Sequence, residues 1–162
     1  VAANPESISG LAFLSELPPQ VVSRLLPLFQ LARYRAGACI FREGESDDRV
    51  FVVVAGQIAL EMHVPEHGRR CILSLGPGDL LGWSPLLEGP AMTATAVALQ
   101  ESEVLVARGD AVRELCWTDC EVGYAFMRQV AKALSKRLIA TRLQLLDLFR
   151  QDAQASEIAV GT

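Results

Sequence analysis

Between residues 31 and 106 the chain is cut into eight short apolar runs by glycines and prolines. No other feature limits the fold so strongly. The runs cover residues 31–34, 38–41, 50–54, 57–64, 71–75, 80–83, 93–99 and 103–107, and the breaks fall at Gly37, Gly44, Gly56, 65–68, 76–78 and Gly89-Pro90. Runs of four to eight residues bounded by turn formers are too short for helices and read as strands. About eight of them in close succession predict a jelly roll or barrel.

Both flanks change period. Ser7 or Ser9 is positioned to cap a turn running to Leu14. A second helix is expected to start at Pro18-Pro19, because proline suits a first helical turn. It carries Val21, Val22, Leu25, Leu26 and Phe29 at helical spacing, with Pro27 near its end. After Arg108 a short helix is predicted over 110–117 and a long one from about 119 to 149, capped by Thr118 or Asp119. Roughly thirty residues make the long helix ~45 Å in length. Met127, Ala131, Leu134, Leu138, Thr141, Leu145 and Leu148 form one apolar stripe along it. Ile139, Leu143, Leu146 and Phe149 form a second, confined to its later half. One stripe can cover the β core. The second asks for another partner, and the like helix of a second chain is the simplest, so a homodimer through this helix is expected. The expected organisation is helices and roll over 1–118, the long helix over 119–150 and a loose tail over 151–162.

A chain of 162 residues, 51% hydrophobic, has enough apolar material for one sizeable core. A net charge of −4 argues against a dedicated nucleic-acid binder. The longest apolar run, 50–55, is far too short to span a membrane. No cationic segment precedes an apolar core at the start, so no signal peptide is read. Cys39, Cys71, Cys116 and Cys120 are therefore expected to stay reduced in the cytoplasm.

Several spacings together resemble the cyclic-nucleotide-binding domain family, in particular the sensor half of Crp/Fnr-type regulators. They are Gly37, Phe41-Arg42-Glu43-Gly44-Glu45, Asp48-Arg49-Val50-Phe51-Val52-Val53 and Gly56-Gln57-Ile58-Ala59-Leu60, then Leu73-Ser74-Leu75, Gly78-Asp79-Leu80-Leu81-Gly82 and Thr93-Ala94-Thr95-Ala96. The resemblance runs from about Ile8 to Phe149. It implies an eight-stranded β-roll with flanking helices and a phosphate-binding cassette over "GWSPLLEGPAMTAT", residues 82–95. In the family a Gly-Glu pair opens the cassette and the Glu holds the ribose hydroxyl. An Arg near its end neutralises the cyclic phosphate. Here Gly82 is kept, Trp83 stands in the place of the Glu, and Met92 stands in the place of the Arg, followed by Thr93 and Ala94 as in the family.

Hydrogen bonds to charged groups are worth about 1.5–3 kcal/mol each. Losing two of them weakens a cyclic nucleotide by roughly two to four orders of magnitude. The amides of a short turn over 84–87, with Ser84 and Thr93, offer only neutral hydrogen bonds in exchange. Arg69, Arg70 and Arg142 are the cations that could make up the charge. Trp83 either fills the ribose space as core or stacks on a planar ligand with its indole N–H as donor. Thr141, beside Arg142, falls where the family's long helix reaches the base, and reads either as a small seam residue or as a ligand contact.

His63 and His67 flank a Pro-Glu turn without an evident third ligand, so they read as surface residues rather than a metal site. Cys116 and Cys120 are a poor zinc pattern and read as buried thiols. Arg128, Lys132 and Lys136 share one face of the long helix, which is either solvated or a docking surface for an acidic protein partner. No nucleophile motif, carboxylate pair or P-loop is present, so an enzyme is not expected. About a dozen residues follow Phe149, too few for a helix-turn-helix, so this chain is not expected to read DNA directly. The expected function is a regulatory sensor that binds cAMP or cGMP weakly, or binds another small-molecule effector. The alternatives are an interaction scaffold with a closed pocket, or the sensor part of a longer regulator.

Overall fold

A computed structural model of the chain describes residues 11–160 other than 88 and 90, with side chains as far as residue 147. The suggested caps Ser7 and Ser9, and the side chains of Leu148 and Phe149, lie outside this description. The chain divides into two compact units, Val1–Val130 and Ala131–Thr162.

The first unit opens with α1 (Ala12–Ser15) and α2 (Pro19–Leu25), and a 3-10 turn over Leu26–Leu28 follows. Pro27 converts the end of the expected helix into that turn, and Phe29 is already extended. The strands are β1 (Gln30–Tyr34), β2 (Cys39–Phe41), β3 (Arg49–Ala55), β4 (Ile58–Val64), β5 (Gly68–Leu75), β6 (Leu80–Leu81), β7 (Thr95–Ala98) and β8 (Ser102–Arg108). They form two four-stranded antiparallel sheets in the orders β1-β8-β3-β6 and β2-β7-β4-β5. Each of the eight predicted runs contributes one strand. β6 stops at Leu81 because Gly82 takes a positive φ of 66°.

The facing sheets enclose one core that includes Ile40, Phe41, Phe51, Val53, Ile58, Leu60, Leu75, Leu81 and Val104. On β3 the four consecutive residues Val50 to Val53 are all fully buried. Alternation directs Phe51 and Val53 into the roll and Val50 and Val52 to the opposite face. That face is also covered, since α3 (Gly109–Thr118) packs on β8 and the 3-10 turn Ser84–Leu87 packs on β3.

The long helix α4 starts at Cys120. Of the two suggested caps the structure uses Asp119, whose Oδ1 accepts from the Val122 N–H at 3.2 Å. Val122, Phe126 and Val130 are buried, and the Phe126 ring meets Phe13 edge-on at 5.6 Å. These contacts attach the first turns of α4 to the roll, so the unit boundary falls at Val130 rather than at 118. The helix also runs to Val160, past the end expected near 150. Residues 150–160 contain neither Gly nor Pro and several good helix formers, so nothing local stops it, and the tail expected to be loose is helical as far as residue 160.

The second unit is the remainder of α4. Leu138, Ile139, Leu143, Leu145 and Leu146 are all more than half exposed. No helix among the described residues is long and apolar enough to cross a membrane.

Candidate functional site

The cassette begins where β6 must turn away from β3. A side-chain carbon on Gly82 would lie 2.9 Å from the Arg49 carbonyl and 3.0 Å from the Phe51 ring, in a backbone conformation that other residues avoid. Glycine is therefore required by the roll itself, whatever the loop binds. Trp83 follows and is half-buried, outside the roll's core cluster. Its carbonyl accepts from the Leu86 N–H at 3.0 Å, which closes the 3-10 turn. Ser84 is buried, and its carbonyl accepts from Gly89 at 3.2 Å.

The far end of the cassette is zipped to the β2–β3 loop. The Met92 N–H donates to the Glu45 carbonyl at 2.9 Å, and the Met92 carbonyl accepts from Gly44 at 2.8 Å. This pairing turns the Met92 side chain inward, where it is 2% exposed and packs in the roll core with Ala94. Thr93, between them, is exposed. The next hydroxyl, Thr95 Oγ1, is buried and accepts from the Glu43 N–H at 3.0 Å. At the position of the cassette cation the chain thus has an apolar side chain integrated into the core.

The suggested replacement charges are all exposed. Arg69 and Arg70 are exposed on β5, in register with His63 and Met62 of β4. Thr141 and Arg142 belong to the second unit and are exposed. The Thr141 hydroxyl donates back to the Arg137 carbonyl at 2.9 Å, a local helix bond.

One cation beside the cassette was missed in the sequence. Arg49 lies two residues before Phe51 and shares its face of β3, with the guanidinium 5.3 Å from the Phe51 ring centre. Asp47 accepts from Arg49 Nε at 2.8 Å and Nη2 at 2.6 Å. Those hydrogen bonds raise the guanidinium's already high pKa and occupy its fork. The signal was the Asp47-Asp48-Arg49 triplet at the start of a strand, of which only Asp48 and Arg49 were read, as part of the family pattern.

The other constellations are now placed. His63 and His67 are exposed on the β4–β5 hairpin. The His63 N–H donates to Glu43 at 2.9 Å. Among the described residues no three His, Cys, Asp or Glu side chains gather into a metal-binding group. Cys116 is half-buried and its thiol pKa is raised by burial, whereas Cys120 is exposed at the first residue of α4. The expectation of two buried thiols is corrected for Cys120.

The two facing sheets, the cassette turn and the flanking helices define a β-roll of the jelly-roll type. The chain belongs to the cyclic nucleotide-binding domain family, whose model matches residues 31–119. It is 22% identical over 147 residues to the CRP-like cAMP-activated global transcriptional regulator of Mycobacterium tuberculosis, an alignment covering 91% of this chain and 64% of that one. The chain therefore spans less than two thirds of that relative. Among solved structures, a cyclic nucleotide-binding domain from Methylobacillus flagellatus superposes with a TM-score of 0.78 at 19% identity, over 88% of this chain and 82% of that one. The catabolite activator protein of Thermus thermophilus gives 0.68 at 28% identity, over 84% and 62%.

Proposed function

We propose that this chain is a non-catalytic sensor domain whose pocket no longer holds a cyclic nucleotide tightly. It binds cAMP or cGMP weakly or takes a different small-molecule effector at Gly82, Trp83, Ser84, Met92, Thr93 and Ala94. The observation that carries this reading is the burial of Met92 in the roll core, where a cassette of this family needs a cation. Trp83, half-buried in place of the carboxylate, supplies a ring and one N–H donor instead of a ribose acceptor. Arg49 does not make up the missing charge, because Asp47 holds its fork.

The exposed leucines and Ile139 of the second unit support a homodimer through α4. In such a dimer Thr141 and Arg142 reach an effector from the same or the partner chain. Four cysteines without a disulfide suit a reducing compartment, and we place the protein in the cytoplasm. Output passes to a protein partner.

Calorimetric titration with cAMP and cGMP tests the reading. The double variant Trp83→Glu/Met92→Arg is expected to bind cAMP about two to four orders of magnitude more tightly than the unaltered chain. Micromolar binding of either nucleotide by the unaltered chain overturns the proposal, whether or not the variant folds.

A further inference from the structure

A groove of about 440 Å³ opens at the elbow between α3 and α4, within the first unit and distinct from the proposed effector contacts. Leu86, on the outer side of the cassette turn, and Val112 line it together with Arg113, Trp117, Tyr124 and Met127. Trp117 is 87% exposed and Tyr124 is 72% exposed. Aromatic side chains this exposed are costly to leave in water without a use.

The elbow is built to a fixed shape. Any side chain on Gly123 would collide with the Cys116 carbonyl oxygen, so α4 can approach α3 this closely only because residue 123 is glycine. Asp119 caps α4 and is also gripped by Arg24 of α2, whose Nη2 donates to Glu121 at 2.6 Å. Arg113 is tied in turn to the cassette. Its Nη1 donates to the Pro85 carbonyl and to Asp48 Oδ1, the latter at 3.0 Å.

We propose that this groove binds a small planar aromatic carboxylate. A volume of 440 Å³ falls in the range of small-ligand pockets, about 300–1,000 Å³. Trp117 and Tyr124 present ring surface for stacking. Arg113 is the one charged residue among the described residues of the lining, and it is ion-paired on its Nη1 side with Asp48, outside that lining. The two bonds from Nη1 leave Nε and Nη2 for an anion. A folded partner is disfavoured on area. Two such rings offer roughly 300–500 Å², about half of the ~800 Å² that each side of a stable interface buries.

The test uses 2-naphthoate as ligand and the neutral 2-naphthalenemethanol as its control, followed by NMR of the two tryptophan indole N–H signals. Naphthoate is expected to shift the Trp117 signal saturably and to leave that of Trp83 unmoved. The alcohol should bind at least about tenfold more weakly, the factor expected for losing a bond to a charged group. Trp117→Ala removes an exposed side chain, is expected to leave the fold intact, and should weaken naphthoate at least about tenfold. Bound naphthoate should also slow alkylation of Cys120, which lines the same groove. The proposal is overturned by equal affinity for acid and alcohol, by unchanged affinity in Trp117→Ala, by unslowed alkylation, or by no Trp117 shift at about 1 mM naphthoate.

Discussion

Residues 120–130 and 131–147 of α4 carry apolar side chains at the same helical spacing, yet they end in different environments. In the first stretch Val122, Phe126 and Val130 are buried against the roll unit. In the second, Leu138, Ile139, Leu143, Leu145 and Leu146 remain more than half exposed. Periodicity reports that a helix has an apolar face. It does not report what covers that face. The first stretch is cohesive with its own domain, and the second presents its apolar side chains exposed, which is what supports the proposed homodimer.

The largest effect should come from cutting the cohesive half. Phe126→Ala removes a fully buried ring that packs edge-on against Phe13 and is expected to cost about 3–5 kcal/mol in urea unfolding. A cost below about 1 kcal/mol would mean that this half of α4 is not anchored as described.

Gly123→Ala separates local preference from tertiary demand. Helix propensity alone favours alanine by about 1 kcal/mol. The collision with the Cys116 carbonyl reverses that sign, and a net loss of about 1–3 kcal/mol is expected.

The outer half should respond in assembly rather than in folding. Leu143→Asp with Leu146→Asp, made in the full chain, is expected to change the unfolding of the first unit by less than about 0.5 kcal/mol. It should halve the mass seen by light scattering and remove the dependence of Tm on protein concentration. A monomeric mass for the unaltered chain at high concentration would break the comparison by removing the partner.

The smallest effect concerns acid sensitivity at the join of the cohesive half. The Arg24 hydrogen bond holds Asp119 below the usual carboxylate range. For Glu121 the Gln20 amide contributes first and Arg24 second. Both folded pKa values are depressed, so the stabilisation is fully present above the unfolded values of about 3.9 and 4.3 and is lost as pH falls through the folded ones. Arg24→Gln should lower Tm slightly near pH 7, where the stabilisation is present, and converge on the unaltered chain below about pH 4, so that the fall in Tm with acid is flatter.

The roll was legible because its signals are local. Gly and Pro at Gly37, Gly44, Gly56, 76–78 and Gly89-Pro90 cut the chain where strands of this length must turn, and each run became a strand. The exchanged cassette was legible as a substitution at Trp83 and Met92. The fate of those side chains was not, because inward or outward depends on which backbone pairs with which. Met92 is directed into the core by its bonds to Glu45 and Gly44, nearly fifty residues earlier in the chain. Arg49 and the elbow groove escaped notice for the same reason. Arg49 gains meaning only beside Phe51 and Gly82. Trp117 and Tyr124 look like ordinary apolar positions until α3 and α4 meet.

What the chain alone determined is the succession of elements and the chemistry missing from the loop, because glycine and proline restrict the backbone and a missing arginine is missing in any fold. What only the tertiary structure decided is which of two equally apolar helix stretches is core. That depends on contacts made by residues far apart in the chain, with Phe13 and the clamp from Arg24 to Asp119 falling on one stretch and not the other.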